Sequence, residues 1–124
     1  MEAAELTESA FWESEDCRVL APPGLESEGE HLGRLLEGEE AVIFTTSGSS
    51  GAPKWVLFRR RALLASARAV NLHLQIGSDD SFLVALPLYH VGGFGMGARA
   101  FVGGCALHHF EESWDAERFR DKLE

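Results

Sequence analysis

The stretch from Phe44 to Trp55, FTTSGSSGAPKW, constrains the fold more than any other part of the chain. It follows a run of strand-forming residues, Ala41 to Thr45, and leads into a second run with aromatic and β-branched side chains, Lys54 to Phe58. Glycines and small hydroxyl residues between two strands are typical of a β-hairpin turn. They are also typical of a loop whose successive backbone N–H groups surround an anion. Composition alone favours the hairpin turn.

The loop differs from the phosphate loop of nucleotide triphosphatases. That loop has Ser or Thr directly after its lysine, and a helix begins there. In this chain Pro53 removes an N–H group, and Lys54 is followed by Trp55, which begins a strand. The sequence therefore excludes that type of loop.

Strands and helices alternate along the rest of the chain. Apolar periodicity and stop signals predict helices over Arg60–Leu74, Gly92–Gly103 and Trp114–Leu123, and strands over Ser81–Leu86 and Cys105–Phe110. Such alternation predicts an α/β fold with a mostly parallel sheet and flanking helices.

The first forty residues have a different character, because acidic residues far outnumber their two arginines. They comprise an acidic lead, Met1 to Asp16, a turn at Pro22 to Gly24, and a short helix from Glu28 to Leu36. We therefore divide the chain into an acidic N-terminal lead with a short helix, residues 1–40, and an α/β domain, residues 41–124.

Charge and composition exclude several classes of protein. The net charge of −9 argues against nucleic-acid binding, which depends on lysines and arginines that contact phosphates. No apolar stretch is long enough for a membrane span, and no signal peptide is recognisable at the N-terminus. Cys17 and Cys105 do not indicate a disulfide framework, so a cytoplasmic protein is expected.

The cationic residues are concentrated near the loop. Residues 41–78 contain no acid and five basic residues, namely Lys54, Arg59, Arg60, Arg61 and Arg68. The three consecutive arginines either guide an anion to the loop or form a solvated helix start.

The segment Ile43 to Lys54, IFTTSGSSGAPK, resembles the signature loop of the adenylate-forming superfamily. This superfamily includes acyl-CoA synthetases, aryl-CoA ligases, luciferases and nonribosomal adenylation domains. The resemblance implies that the loop binds the phosphates of ATP, with Lys54 as an auxiliary positive charge. The implied phosphate-binding residues are Thr46, Ser47, Gly48, Ser49, Ser50 and Gly51. Many members have glycine where this chain has Trp55, which we expect to pack as a strand side chain.

A second segment, Leu86 to Gly104, LPLYHVGGFGMGARAFVGG, resembles the part of these enzymes that lines the acyl pocket. It is most similar to o-succinylbenzoate–CoA ligases of menaquinone synthesis and to aryl-CoA ligases. The resemblance implies that His90 is a catalytic residue beside the substrate carboxylate, and that Tyr89, Gly93 and Phe94 help to form the pocket. Without it, His90 would be interpreted as an ordinary partly buried histidine.

Two further patterns do not support a site. Gly95 to Ala100 fits a relaxed dinucleotide-binding pattern but does not join a strand to a helix, so its small residues are expected to allow close helix packing. Cys105, His108 and His109 do not converge, because neighbouring residues in a strand point to opposite faces. We therefore assign no metal ligands.

The implied function is that of an acid–CoA ligase. With ATP and Mg²⁺ it activates a carboxylic acid to an acyl-adenylate, and it then transfers the acyl group to coenzyme A. The resemblance covers only Ala41 to Phe110, so we expect a fragment of the large N-terminal domain, inactive alone and able to self-associate through an open sheet edge. The alternative is a non-catalytic α/β module that keeps the loop as a nucleotide or anion binder, or only as a turn.

Overall fold

The computed structural model describes residues 1–47 and 51–124. Within them the chain begins with a short 3-10 helix, Ala3–Thr7. The α-helices are α1 (Ser9–Glu13), α2 (Glu26–Leu35), α3 (Arg60–Leu74), α4 (Val91–Gly103) and α5 (Ala116–Leu123). The strands are β1 (Cys17–Val19), β2 (Ala41–Ser47), β3 (Pro53–Phe58), β4 (Ser81–Val84) and β5 (Ala106–His109).

The strands form two small sheets, one in the order β1-β2-β3 and one of β4 and β5. The β1–β2 and β4–β5 pairs are parallel, whereas β2 and β3 are antiparallel. An antiparallel pair is the only arrangement that the short connection between β2 and β3 allows, since parallel strands need a crossover of a dozen or more residues. The α/β fold is confirmed, with two of these three pairings parallel.

Helix α4 lies at the centre of the core. Its Phe94 is fully buried, and its ring centroid is 4.8 Å from that of Phe44 on β2. The ring centroids of Phe11 and Trp12 in α1 lie 5.8 and 5.5 Å from that of Phe94. This aromatic cluster fixes α4 against both β2 and the N-terminal segment.

The N-terminal segment belongs to the same core, which its acidic composition did not predict. Leu6 is fully buried, and the indole Nε1 of Trp12 donates a hydrogen bond to the Leu6 carbonyl at 2.8 Å. A Cβ atom on Gly97 of α4 would lie 2.4 Å from Leu6 Cδ1, so glycine allows the two segments to approach closely. Strand β1 of the N-terminal segment pairs with β2, which follows residue 40.

Arg60 is buried at the start of α3, with 1% of its surface exposed. Its guanidinium donates to the carbonyl oxygens of Ser14 and Asp16 at 3.0 and 2.7 Å, and to the Asp16 carboxylate at 2.6 Å. It also lies over the Phe11 ring, 4.9 Å from the centroid. Both interpretations of Arg60 from the sequence are therefore wrong, because it neither guides an anion nor belongs to a solvated helix start.

Helix α3 has the bounds that the sequence predicts, and the other predicted helices and strands are present with ends that differ by a few residues. Within residues 1–47 and 51–124, none of the helices combines the length and the apolar character needed to cross a bilayer.

Candidate functional site

The predicted phosphate loop joins strands β2 and β3 in the sequence. The register pairs Thr46 with Lys54 and Ser47 with Pro53, so both ends of the loop are held by strand pairing. Gly51 has a φ of 80°, a conformation that glycine adopts without strain. Gly48, Ser49 and Ser50, which the resemblance implies as phosphate-binding residues, lie outside the described residues.

Thr46 and Lys54 lie on the face of the hairpin that helix α4 covers. Side chains alternate along a strand, so Thr46 shares a face with Phe44, two residues earlier. Phe44 contacts Phe94 of α4, and Lys54 is opposite Thr46 in the register. Lys54 is exposed at the end of this face.

Trp55 packs as a strand side chain, as the sequence predicts. It is half-buried in β3, opposite Thr45, on the other face of the hairpin. A Cβ atom on Gly29 of helix α2 would lie 3.6 Å from the Trp55 ring, so the indole lies against this helix. Trp55, where many family members have glycine, therefore lies on the opposite face of the hairpin from Thr46 and Lys54.

His90 is the residue that caps the N-terminus of helix α4. Its backbone N–H donates to the Pro87 carbonyl at 3.1 Å, and its own carbonyl accepts from the Phe94 N–H at 2.9 Å. The ring is exposed, and its Nδ1 atom accepts a hydrogen bond from the Gly92 N–H at 3.1 Å. The ring is thereby held beside the first turn of the helix.

The other predicted pocket residues are in different surroundings. Tyr89 is half-buried and lines a cavity of about 350 Å³ together with Leu20 and His109. A Cβ atom on Gly93 would lie 2.4 Å from the Pro87 carbonyl oxygen, so glycine allows helix α4 to begin directly against the preceding turn. Phe94 faces the core and has no exposed surface.

An apolar groove between helices α3 and α4 was missed by the sequence analysis. It has a volume of about 450 Å³, and its lining includes Val91 and Gly92, the two residues that follow His90 in the chain. Its α3 wall contains Ala62, Ser66 and Val70, at helical spacing of four residues. This spacing could have indicated a groove along the helix from the sequence. The same spacing is also typical of ordinary helix packing, so it did not distinguish the two.

The cysteine and histidines of the last predicted strand make separate contacts. The Cys105 thiol donates to the Gly77 carbonyl at 3.1 Å, and burial raises the pKa of this thiol. His109 contacts the Leu86 carbonyl through Nε2 at 3.2 Å, whereas His108 is exposed. In the part of the chain that the structure describes, no three Cys, His, Asp or Glu side chains form a cluster suited to a metal ion.

Comparison with known families gives the class of protein. The model of the AMP-binding enzyme family matches residues 4–123, which is nearly the whole chain. The chain therefore belongs to the AMP-binding enzyme family. The match includes the acidic N-terminal segment, in agreement with its place in the core.

The curated relatives include proteins named 2-succinylbenzoate–CoA ligase. The protein of Enterococcus faecalis is 39% identical over 72 residues, which are 58% of this chain and 15% of that protein. The protein of Bacillus licheniformis is 35% identical over 101 residues, which are 80% of this chain and 20% of that protein. The chain thus spans about a fifth or less of the length of these relatives.

Solved structures with a similar fold include o-succinylbenzoate CoA synthetase from Bacillus subtilis. A double mutant of that enzyme, bound to the product analogue OSB-NCoA, aligns with a TM-score of 0.57 at 26% identity, over 66% of this chain and 17% of that chain. The complex with ATP and magnesium aligns with a TM-score of 0.59 over 99% of this chain and 30% of that chain. Its 20% identity supports the fold only.

Proposed function

We propose that this chain carries the phosphate loop and the carboxylate-facing histidine of an acid–CoA ligase. The observation that carries the proposal is the β2–β3 hairpin, with the sequence TTSGSSG connecting its strands and the exposed Lys54 opposite Thr46. A further support is membership of the AMP-binding enzyme family across residues 4–123.

The loop would bind the phosphates of ATP. Backbone N–H groups and the hydroxyls of Thr46, Ser47, Ser49 and Ser50 would be donors, with Gly48 and Gly51 allowing close approach. Around Gly51 there is open space, since a Cβ atom there would meet nothing within 4 Å. The exposed Lys54 ammonium would add a charge-assisted bond to the departing pyrophosphate.

The reaction would proceed in two steps. A carboxylate oxygen of the acid attacks the α-phosphorus of ATP, an O–P bond forms, and the bond to pyrophosphate breaks. The coenzyme A thiol, losing its proton, then attacks the acyl carbon, and AMP leaves. The attacking carboxylate is already ionised, so the first step depends on positioning and charge neutralisation and needs no general base. Mg²⁺ bound with ATP would neutralise phosphate charge, and no ligand for it is assigned to this chain.

His90 would orient the substrate carboxylate, with Tyr89 forming an adjoining part of the pocket. The exposed ring at the start of α4 supports this role for His90. Gly93 and Phe94 would act by fixing the helix that carries it. We propose o-succinylbenzoate as the acid, because the curated relatives are named 2-succinylbenzoate–CoA ligases. We also propose that the protein is cytoplasmic.

A chimeric ligase tests this proposal. The matched 101 residues of the Bacillus licheniformis protein are replaced by the corresponding residues of this chain, and CoA-thioester formation is measured with o-succinylbenzoate, benzoate and a fatty acid. We expect turnover of o-succinylbenzoate, reduced about a hundredfold by His90→Ala because the carboxylate is no longer oriented. Turnover of fatty acids alone would overturn the choice of acid. A folded chimera that turns over none of the acids would favour the non-catalytic α/β module.

The 124-residue chain alone is the control that tests whether it contains a complete active site. We expect no pyrophosphate exchange with any of the three acids, because the chain spans a fifth or less of the ligases that it resembles. Detectable exchange by the chain alone would contradict this expectation.

A further inference from the structure

The hydrogen bond from Gly92 to His90 specifies which nitrogen of the imidazole carries the proton. A backbone amide nitrogen can only donate, so the Nδ1 atom that receives this bond at 3.1 Å has to be unprotonated. In the neutral imidazole the single proton then lies on Nε2. The ring thus has its acceptor toward the helix and its donor on the opposite side.

The backbone around His90 is fixed by further hydrogen bonds, so this arrangement is built into the turn. The His90 N–H is bonded to Pro87, and the Phe94 N–H is bonded to the His90 carbonyl. Phe94 itself is locked in the aromatic core. The Gly92 N–H belongs to the first turn of α4, where amide groups have no partner within the helix. Its bond to Nδ1 therefore satisfies a donor that the helix leaves free.

We propose that Gly92 is a positioning residue whose N–H holds His90 as the Nε2–H tautomer, so that His90 meets the substrate carboxylate as a hydrogen-bond donor. This inference rests on the proposed function for the identity of the ligand. An ionised carboxylate has only acceptor oxygens, so a ring that presents N–H complements it. A neutral ring with the proton on Nδ1 would present a lone pair to the carboxylate and lose the bond to Gly92.

The tautomer can be measured directly by nitrogen NMR on the chain labelled with ¹⁵N-histidine. Spectra are recorded over a range of pH, and the tautomer ratio is measured where it no longer changes as the pH rises. His31 and His73, exposed on α2 and α3, are internal references. We expect the ratio of Nε2–H to Nδ1–H at His90 to exceed that of the two references by about fivefold, as one net hydrogen bond would give. A ratio equal to theirs, or an excess of Nδ1–H, would overturn the inference.

A pair of variants at one position isolates the N–H group. A Cβ atom at position 92 would lie 3.2 Å from both His90 Nδ1 and Leu86 Cδ1, and both Gly92→Ala and Gly92→Pro introduce this contact. Only proline removes the N–H, and proline is tolerated in the first turn of a helix. We expect the alanine variant to keep the tautomer ratio and the proline variant to lose it. A proline variant that folds and keeps the ratio would overturn the role of Gly92. If that variant does not fold, the tautomer ratio at His90 in the unmodified chain remains the test of the inference.

Titration with benzoate separates this inference from the proposed function. A carboxylate that binds at His90 should shift the Nε2 resonance, and an unchanged resonance would count against His90 as the carboxylate-facing residue. The tautomer ratio is measured without any ligand, so its comparison between the unmodified chain and the Gly92 variants tests the role of Gly92 whatever the titration gives.

Discussion

Arg60 joins the N-terminal segment to helix α3 through its guanidinium. The side chain is 1% exposed and donates to two carbonyls and one carboxylate of residues 14–16. Removing this side chain leaves carbonyl acceptors without their donor, which typically costs about 1 to 3 kcal/mol, whereas the Asp16 carboxylate is 58% exposed and can be hydrated instead. We expect Arg60→Ala to lower the free energy of unfolding in urea by about that amount. Arg61→Ala, at an exposed neighbouring position, should change it by less than about 0.5 kcal/mol. Equal effects of the two variants would contradict the buried position of Arg60.

Asp16 makes part of the free energy of unfolding dependent on pH. A hydrogen bond from the Ser14 hydroxyl, and then the bond from Arg60, lower the pKa of Asp16 below its usual value of 3.8. A carboxylate with a depressed pKa contributes stability above its unfolded pKa, and this stability is lost as the pH falls through the folded pKa. We therefore expect Asp16→Asn to be less stable than the unmodified chain at neutral pH, with the difference shrinking between about pH 5 and about pH 2. Urea unfolding across this range measures it, and a difference that grows on acidification would contradict the assignment.

At the scale of elements, two glycines of helix α4 have opposite roles. A Cβ atom on Gly93 would lie 2.4 Å from the Pro87 carbonyl oxygen, whereas one on Gly95 would meet nothing within 4 Å. We expect Gly93→Ala to displace the start of the helix and to lower stability by about 1 to 3 kcal/mol, as overpacking does. Gly95→Ala should raise stability by up to about 1 kcal/mol, because alanine favours the helix. Thermal unfolding of both variants checks this pair, and a Gly93→Ala protein as stable as Gly95→Ala would refute the close packing.

Elements with a local signal could be predicted from the sequence, and those fixed by distant contacts could not. Helix α3 has an apolar periodicity of its own, and its bounds were predicted as Arg60 to Leu74. The 3-10 helix and α1 are five residues each, too short for a periodic pattern, and they are held by the burial of Leu6 and Trp12. Arg60 was misjudged for the same reason, since its carboxylate partner Asp16 is 44 residues away.

The candidate site likewise has one part that could be predicted from the sequence and one part that depends on packing. A phosphate loop and a site at the start of α4 could be predicted because their residues are consecutive and carry recognisable motifs. The groove between α3 and α4 is formed by residues that come together only through packing. The bond between Gly92 and His90 depends on the shape of one turn, which no composition reveals.

At the scale of the whole molecule, β3 is an edge strand in the described part of the sheet. An edge strand with unpaired backbone groups can pair with a second copy, and Leu57 adds apolar surface there, with 39% of its area exposed. Self-association stays a prediction. We expect the mass in sedimentation experiments to rise with concentration, and Leu57→Lys to reduce this rise because a charged edge disfavours pairing. Leu72→Lys changes the charge equally at an 82% exposed site on α3 and should have little effect. An equal reduction by both variants would contradict pairing at β3.

The central claim is that the loop joining β2 and β3 binds phosphate groups, and calorimetric titration with pyrophosphate tests it most directly. At about 0.15 M salt, distant charges are largely screened, so a charge close to the ligand can be distinguished from a remote one. We expect the chain to bind pyrophosphate and Lys54→Ala to weaken binding by about tenfold or more, as the loss of a charge-assisted hydrogen bond would. Arg68→Ala, which removes an equal charge from an exposed position on α3, should change the affinity by less than about twofold. Absence of binding, or an equal loss in the two variants, would contradict the claim.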